Sequence, residues 1–396
     1  MKKRYLLLIL VFFITGCWNY RELNTMAIVG SIGIDYDEEN NMFDVSVQVF
    51  NAKNSSASSN SSSEEKSTVT YYEQKAKTIH EAFRNMVTEL PKKLYIGHLD
   101  LVIFGEQLAK KHFTDALDFL FRDSESRKDF QVFVTKDCKA SDVLKVLTPL
   151  ITIPSASLRE TLASLSKFKG FSTKITYDET LSYVYGTGIE VVLPVVQIVG
   201  DVKDGENTDN ISDTTTKTRL IVDGMSVFKN NLLIGYLNGD ESIGYNFIVG
   251  SLEKSVLSFP CDDKNNYASI EINKVKSGSK VKFENEIISN INVDGEAVIS
   301  EINCQIDLTN QQNILKIQEE ANQRIIDLIN SALEKSMITY NSDIFGFGNQ
   351  LYRKQYFKWE EIKNNWYDYF PNIKTSVTSK IKIINNGSIS NSTKEG

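Results

Sequence analysis

The sequence has little of what enzymes use for chemistry. Its 396 residues include only 3 histidines and 4 cysteines. The histidines, His80, His98 and His112, fall in different predicted elements, and no pair has the i, i+4 spacing of a metal-binding helix. A Gly-x-Ser-x-Gly elbow, a phosphate-binding loop and a Gly-x-Gly-x-x-Gly turn are also missing from the sequence. These absences predict a protein that is not an enzyme and that needs no metal or cofactor.

Cysteine is too sparse for a disulfide-rich scaffold. Beyond Cys17, the chain has Cys138, Cys261 and Cys304, an odd and widely spaced set without a Cys-x-x-Cys pair for zinc. We therefore expect these three residues to be small buried hydrophobic side chains.

An excess of positive charge is also missing. The formal net charge is −7, and lysine and arginine are scattered without a polybasic run. Binding to nucleic acid or to anionic lipid headgroups requires a positive surface, so the composition argues against both. The hydrophobic fraction of 41% and the charged fraction of 24% are typical of a globular protein with a core of its own.

The first seventeen residues have the form of a bacterial export signal. A positive head at Lys2, Lys3 and Arg4 precedes an apolar run from Tyr5 to Ile14. That run is about ten residues long, whereas a membrane-spanning helix needs roughly 20. Ile14-Thr15-Gly16-Cys17 resembles a lipobox, so we predict that residues 1–16 are removed and that Cys17 carries the lipid. The alternatives are an ordinary signal peptide with a chance cysteine, or a short anchor helix.

The pattern of the remaining residues predicts an α+β protein. We expect three mixed α/β domains in an elongated arrangement, each a small sheet packed with helices. The predicted N-terminal domain spans 17–145 with a Ser-rich loop at 51–67, and the middle domain spans 146–247 with an acidic loop at 200–218. The C-terminal domain spans 248–396 and contains a β-meander, a long helix at 310–340 with an apolar stripe from Ile314 to Ala332, an aromatic segment and a closing strand.

Local signals predict individual elements within these domains. Alternating Phe43, Val45, Val47 and Val49 indicate the second strand of a hairpin over 26–50. One amphipathic helix is expected over 106–121 and an apolar strand over 189–199, where Pro194 favours a sheet edge. Asn230-Asn231 is predicted to be the turn of a second hairpin.

An aromatic segment near the C-terminus is the richest local cluster. Phe345 and Phe347 lie among closely spaced glycines, and Trp359 and Trp366 follow seven residues apart. One interpretation is a partner surface formed by these four side chains. The other is a hydrophobic lid that folds the tail back on its own domain, because the two tryptophans can share one helical face.

Several ordered motifs resemble the Ger(x)C family of spore germination lipoproteins. The first is the lipobox followed by Cys17-Trp18-Asn19-Tyr20-Arg21-Glu22-Leu23. Gly33-Ile34-Asp35 and Gly97-His98-Leu99 follow, and then Asp223-Gly224-Met225-Ser226-Val227-Phe228-Lys229 with Leu233-Ile234-Gly235-Tyr236-Leu237. The last is Asp343-Ile344-Phe345-Gly346-Phe347-Gly348 with Trp359 and Trp366. The resemblance covers essentially the whole chain, although the Ser-rich loop is longer than the family pattern.

The resemblance implies a function. Members of the family are non-catalytic C subunits of GerA-type nutrient germinant receptors, with three mixed α/β domains. They are anchored through a lipidated cysteine, here Cys17, to the outer surface of the spore inner membrane. Their partners are a polytopic B subunit and an A subunit with membrane spans, and the complex responds to small nutrients. The alternative for a lipoprotein of this size is the substrate-binding protein of a membrane transporter.

Overall fold

Two β-sheets and the helices packed on them form the protein. The computed structural model describes residues 25–51, 68–151, 153–262 and 266–385. A nine-stranded mixed sheet has the order β3-β2-β1-β5-β6-β7-β8-β9, with β4 paired to β1, and a four-stranded sheet has the order β10-β11-β12-β13. The predicted α+β class is confirmed.

The strands of the larger sheet are β1 (Met26–Asp37), β2 (Met42–Phe50), β3 (Val69–Ala76), β4 (Lys93–Tyr95), β5 (Leu101–Phe104), β6 (Gln131–Thr135), β7 (Val192–Val199), β8 (Arg219–Lys229) and β9 (Leu232–Leu237). Those of the smaller sheet are β10 (Ser255–Pro260), β11 (Tyr267–Phe283), β12 (Ile287–Ile302) and β13 (Lys374–Asn385).

Helices accompany the strands as follows. The first eight are α1 (Ile79–Asn85), α2 (Glu106–Lys111), α3 (Phe113–Arg122), α4 (Ala140–Lys145), α5 (Pro154–Phe168), α6 (Tyr177–Val184), α7 (Val202–Gly205) and α8 (Asp209–Ser212). They are followed by α9 (Gly239–Val249), α10 (Gln311–Leu333), a π-helical turn (Glu334–Tyr340), α11 (Phe347–Lys354), α12 (Tyr356–Ile362) and α13 (Trp366–Tyr369). In the part of the chain that the structure describes, no helix has both the length and the apolar content to cross a membrane.

Both predicted hairpins are present. β1 and β2 pair antiparallel, and the inward-pointing Val45 and Val47 of β2 are fully buried. β8 and β9 pair across Asn230 and Asn231, which adopt φ values of 52° and 63°. Two consecutive positive φ values are the backbone of a type I′ turn, and asparagine tolerates them better than most residues do.

The prediction that Pro194 marks a sheet edge is wrong. β7 lies in the interior, parallel to β6 on one side and antiparallel to β8 on the other. Its pairing with β6 begins only at Val195, and its register with β8 shifts between Pro194 and Val196. Proline therefore occupies a bulge, which is where an interior strand tolerates the missing N–H.

Three further elements differ from the prediction. The single helix expected over 106–121 is divided into α2 and α3 at His112, whose φ of −132° is not helical. The expected β-meander is formed by strands of uneven length: β10 is short, whereas β11 and β12 are long and continue through Gly278 and Gly295. The acidic segment at 200–218 contains the short helices α7 and α8, and its Asn210 is buried and hydrogen-bonded to Thr218.

The long helix α10 covers one face and one edge of the smaller sheet. Its apolar stripe is buried, as predicted, and its polar residue Asn322 reaches the edge strand β13. The side-chain amide of Asn322 donates to the carbonyl of Ile381 (3.1 Å) and accepts from the N–H of the same residue (2.7 Å). This pair of bonds replaces a neighbouring strand, because the outer edge of β13 presents unpaired backbone groups there.

The larger sheet crosses the boundary predicted between the first and middle domains. β1 to β6 come from the segment assigned to the N-terminal domain, and β7, β8 and β9 come from the segment assigned to the middle domain. The division into three domains stays a prediction. The Ser-rich loop at 51–67 lies outside the described residues apart from Asn51.

Candidate functional site

The residue predicted to carry the lipid, Cys17, lies outside the described residues. The first described strand, β1, begins at Met26, so only eight residues separate it from Cys17. An extended chain of that length spans at most about 28 Å. The assignment of Cys17 therefore continues to rest on the sequence.

The four aromatic residues predicted as a partner surface are inside the protein. Phe345, Phe347, Trp359 and Trp366 are each at most 5% exposed. The two tryptophan rings pack edge to face with centroids 5.2 Å apart, and Phe345 and Phe347 are also 5.2 Å apart. These side chains are therefore too buried to form a partner surface in this structure. Their positions agree with the alternative interpretation, in which the tail folds back on its own domain.

Asp343 holds this aromatic cluster together. It is fully buried and accepts hydrogen bonds from the backbone N–H groups of Phe347 (3.0 Å) and Gly348 (2.7 Å) and from the indole N–H of Trp366 (3.2 Å). Burial raises the pKa of Asp343 to about 7, although these donors act in the opposite direction. The carboxylate fixes the turn before α11 and ties the tail to it.

A second buried carboxylate joins the tail to the larger sheet. The backbone N–H of Glu190 donates to the carbonyl of Asp343 (2.9 Å). The side chain of Glu190 accepts from the Tyr367 hydroxyl and from the backbone N–H of Asn230 (2.9 Å). Burial raises the pKa of Glu190 above its usual value. The tail is thereby bonded to the loop before β7 and to the β8–β9 turn.

Asp35 plays a similar part in the N-terminal region. Its two carboxylate oxygens accept from the backbone N–H groups of Ala140 and Ser141, each at 2.9 Å, at the start of α4. Burial raises the pKa of Asp35 to about 6. Asp35 thus attaches α4 to β1. These two hydrogen bonds give the aspartate of the Gly33-Ile34-Asp35 motif a structural role.

A partly buried acidic cluster lies on β2 and β3. Burial raises the pKa of Asp44 to about 7, and the neighbouring Glu73 adds to that shift. Lys75 lies 3.5 Å from Asp44, and Glu73 accepts from the Tyr71 hydroxyl (2.6 Å) and lies 3.4 Å from Lys145. Glu73 is thus matched by a hydroxyl donor and a lysine, whereas Asp44 has one lysine neighbour and a buried Oδ1 without a hydrogen-bond partner among the described residues.

An open groove of about 640 Å³ lies between α1 and α3. His80, Asp115, Asp118, Phe119 and Arg122 contribute to its lining. Arg122 is paired with Asp118 at 2.7 Å, so these two charges compensate each other. No nucleophile with an adjacent base is present among these residues, and the groove has the character of a surface depression.

The three histidines have separate surroundings. His80 is bonded to Arg84 (3.3 Å), His98 contacts the ring of Tyr95, and His112 is bonded to Asp115 (2.9 Å). Within residues 25–51, 68–151, 153–262 and 266–385, no three His, Cys, Asp or Glu side chains group as metal ligands.

The expectation for the cysteines is wrong for two of the three. Cys261 and Cys304 form a disulfide, with Cα atoms 6.3 Å apart and a sequence separation of 43. Cys261 directly follows β10 and Cys304 lies two residues beyond β12, so the pairing of β10, β11 and β12 brings them to the same end of the sheet. Cys138 is a free thiol whose burial raises its pKa to about 12.

Two family models match the chain in succession. The model of the spore germination protein N-terminal domain matches residues 19–198. The model described as spore germination B3/GerAC like, C-terminal, matches residues 223–387.

Curated relatives match over nearly the whole chain. Spore germination protein KC of Bacillus subtilis (strain 168) is 28% identical over 388 residues, which cover 96% of this chain and 95% of the relative. Spore germination protein B3 of the same strain is 22% identical over 382 residues, which cover 94% of this chain and 95% of the relative.

The solved crystal structure of the GerBC protein has a similar fold. It superposes with a TM-score of 0.56 at 18% sequence identity and covers 89% of this chain and 97% of that chain.

Proposed function

We propose that this chain, which belongs to the Ger(x)C family of spore germination proteins, is the lipid-anchored C subunit of a nutrient germinant receptor. The observation that carries the proposal is the ordered match of both family models, over residues 19–198 and 223–387. In this role the protein is needed for spores to germinate in response to small nutrients. It acts as a structural and binding component of the receptor and not as a catalyst.

The anchor in this proposal is a lipid, such as palmitate and a diacylglycerol, attached to Cys17. Each buried CH₂ contributes roughly 0.8 kcal/mol, so two or three acyl chains hold a protein stably where one is marginal. The eight residues between Cys17 and Met26 are a short tether. The disulfide between Cys261 and Cys304 supports export, because disulfides persist in oxidising compartments.

The partners in this proposal are the A and B subunits of the same receptor, on the outer surface of the spore inner membrane. A non-catalytic role agrees with the buried carboxylates. Asp35 and Asp343 are both occupied by backbone N–H donors, and neither lines the groove between α1 and α3.

The alternative function, a substrate-binding lipoprotein of a transporter, is less consistent with this fold. Such proteins usually have two similar α/β lobes around a hinge. The described residues instead form one nine-stranded and one four-stranded sheet of different topology. Titration calorimetry of the chain from residue 18 with amino acids and sugars tests the alternative, and submicromolar binding would favour it.

Two experiments in spores test the proposal. We expect deletion of the gene to slow nutrient-triggered loss of optical density while leaving a trigger that bypasses the nutrient receptors effective. We expect Cys17→Ala to make the protein extractable from the spore membrane fraction by high salt and to reproduce the defect, whereas Cys138→Ser behaves as wild type. Normal nutrient germination after deletion, in a strain without related genes, contradicts the proposal.

A pull-down identifies the partners. A C-terminally tagged chain is solubilised from spore membranes in mild detergent and purified. We expect two membrane-spanning subunits to be recovered with it in comparable amounts. Recovery of a transporter permease in their place would establish the alternative function.

A further inference from the structure

The outward face of the four-stranded sheet carries an unusual concentration of lysine. Residues 274–282 of β11, 288–296 of β12 and 374–382 of β13 contain seven lysines and only two acids. These lysines are Lys274, Lys276, Lys280, Lys282, Lys374, Lys380 and Lys382, and all seven are exposed. Although the overall composition argues against binding to anionic lipid, this local feature leads us to propose that this face, the basic sheet face, docks on the anionic phospholipid headgroups of a membrane.

Strand alternation separates the two faces completely. The seven lysines occupy even-numbered positions, whereas the odd-numbered positions of the same segments carry no charge. Val281, Ile291, Val293 and Ile381 are among those odd-numbered residues, and each is at most 2% exposed. Successive side chains of a strand point to opposite faces, so every lysine lies on the side away from the core.

Strand register arranges the charges in rows across the face. Asp294 of β12 lies between Lys276 of β11 and Lys380 of β13. In the same way, Glu296 lies between Lys274 and Lys382. Each acid therefore has a lysine on both sides and each row keeps a net positive charge.

Near the β11–β12 turn, two lysines of β11 lie opposite uncharged residues of β12, and the nearest acids, Glu284 and Glu286, lie in the turn itself. Lys280 is opposite Asn290, and Lys282 is opposite Ile288. Lys374 is paired with Glu286 at 2.6 Å; the other six lysines have no acidic oxygen within 4 Å among the residues that the structure describes. Unpaired lysines on an otherwise acidic protein produce a local field that attracts anions.

The helices α11 and α12 add exposed aromatic side chains beside this end of the sheet. Gln350 and Gln355 accept from the backbone N–H groups of Val281 and Phe283, which places the two helices along the edge of β11. Nearby, the ring of Tyr356 contacts those of Tyr352 and Phe357, each with centroids 5.9 Å apart, and Phe357 is 83% exposed. Exposed aromatic rings next to lysines are typical of surfaces at the membrane–water interface.

The form of the face favours a lipid surface over a protein partner. It is about 27 Å long, because eight residues of a strand rise about 3.4 Å each, and it has no cavity or aromatic anchor among its lysines. Lysine is depleted at the centres of protein interfaces, which usually require a buried anchor residue. A broad array of flexible ammonium groups suits the diffuse charge of anionic headgroups.

This inference goes beyond the proposed receptor role and does not use the acyl anchor. The test therefore uses the chain from residue 18, which retains every described element. Its binding is measured by co-sedimentation with vesicles of phosphatidylcholine alone and of phosphatidylcholine with 30% phosphatidylglycerol. We expect binding to the anionic vesicles, weak binding to the neutral ones, and a steep loss of binding between 0.05 and 0.5 M salt.

Two matched quadruple variants give the decisive comparison. The first changes Lys276, Lys280, Lys282 and Lys380 to glutamine, and each change is expected to weaken partitioning about fivefold, which is about 1 kcal/mol per lysine. The combined loss is therefore at least about a hundredfold. The control changes the exposed Lys92, Lys167, Lys203 and Lys217 to glutamine, with the same change in net charge, and should stay within about threefold of the original chain.

Circular dichroism and urea unfolding of both variants verify that the fold is retained. Equal losses in the two variants would show that net charge, and not this face, drives binding. Equal binding of the original chain to neutral and anionic vesicles would also overturn the proposal. The proposal would also be overturned if the chain bound no vesicle and this face instead captured an acidic segment of a receptor subunit. Germination of the deletion strain is a separate readout, so this inference and the receptor proposal can fail independently.

Discussion

The disulfide between Cys261 and Cys304 should contribute a large share of the stability of this protein. We consider the double variant Cys261→Ser with Cys304→Ser, because a single substitution would leave a new reactive thiol. The bond closes a loop of 43 residues. Chain-entropy arguments assign a loop of this size a stabilisation of about 4 kcal/mol at 25 °C. Total stabilities of domains are only about 5–15 kcal/mol, so the loss should be easy to measure.

The assay combines a thiol count with urea unfolding of the chain from residue 18. That chain has three cysteines, so we expect one reactive thiol in denaturant before reduction and three afterwards. Unfolding is followed by tryptophan fluorescence, because Trp359 and Trp366 are buried in the C-terminal region. The double variant should lose about 4 kcal/mol of unfolding free energy. Reducing agent should lower the stability of the original chain by a similar amount without affecting the variant.

Cys138→Ser is the matched control, because it also exchanges a sulfur atom for oxygen but breaks no covalent link. Because its disulfide is intact, reducing agent should lower its stability by as much as it lowers that of the original chain. Three reactive thiols in the unreduced chain, or an unfolding midpoint that reducing agent leaves unchanged, would refute the reasoning.

Three other predictions concern the packing of the C-terminal region. Burial raises the pKa of Asp343 from 3.8 to about 7, so the folded state retains a proton that the unfolded state has lost, and stability should fall as pH rises through this interval. Asp343→Asn should flatten that fall in urea titrations at pH 4.5, 6 and 7.5, whereas the exposed Asp368→Asn should leave it unchanged. Asn322→Ala removes the bonds to the backbone of Ile381 and should cost about 1–3 kcal/mol in urea unfolding, with faster hydrogen exchange confined to β13; unchanged exchange in β13 would contradict it. Gly244→Ala should destabilise by more than about 2 kcal/mol, since the new Cβ would lie 2.0 Å from a backbone oxygen of α10, and an unchanged melting temperature would argue against that close helix contact.

Local patterns were sufficient for many individual elements. Alternation in 43–49 predicted β2, the Asn230-Asn231 pair predicted the β8–β9 turn, and the apolar stripe beginning near Ile314 predicted α10. Each signal involves residues within a few positions of one another. The backbone conformation they favour is set by sterics and by side-chain direction, which do not depend on distant parts of the chain.

The candidate sites were less predictable than the elements. The aromatic character of Phe347 and Trp366 is plain in the sequence, but their burial depends on Asp343 and on a tail that folds back upon itself. The pairing of Cys261 with Cys304 required the order of β10, β11 and β12. The spacing of the cysteines in the sequence does not predict that strand order.

Sequence patterns alone were sufficient to recognise the family, the α+β class and the form of the export signal, and to predict the positions of most strands and helices. Which strands are neighbours is seen only in the tertiary structure. It placed Pro194 in a sheet interior and collected lysines more than a hundred residues apart, Lys276 and Lys380, on one face. The lysines of these two strand segments occur only at even-numbered positions, and no polybasic run is visible in the sequence. The physical reason is that alternation fixes a side chain's face locally, whereas strand order and register are set by contacts between distant segments.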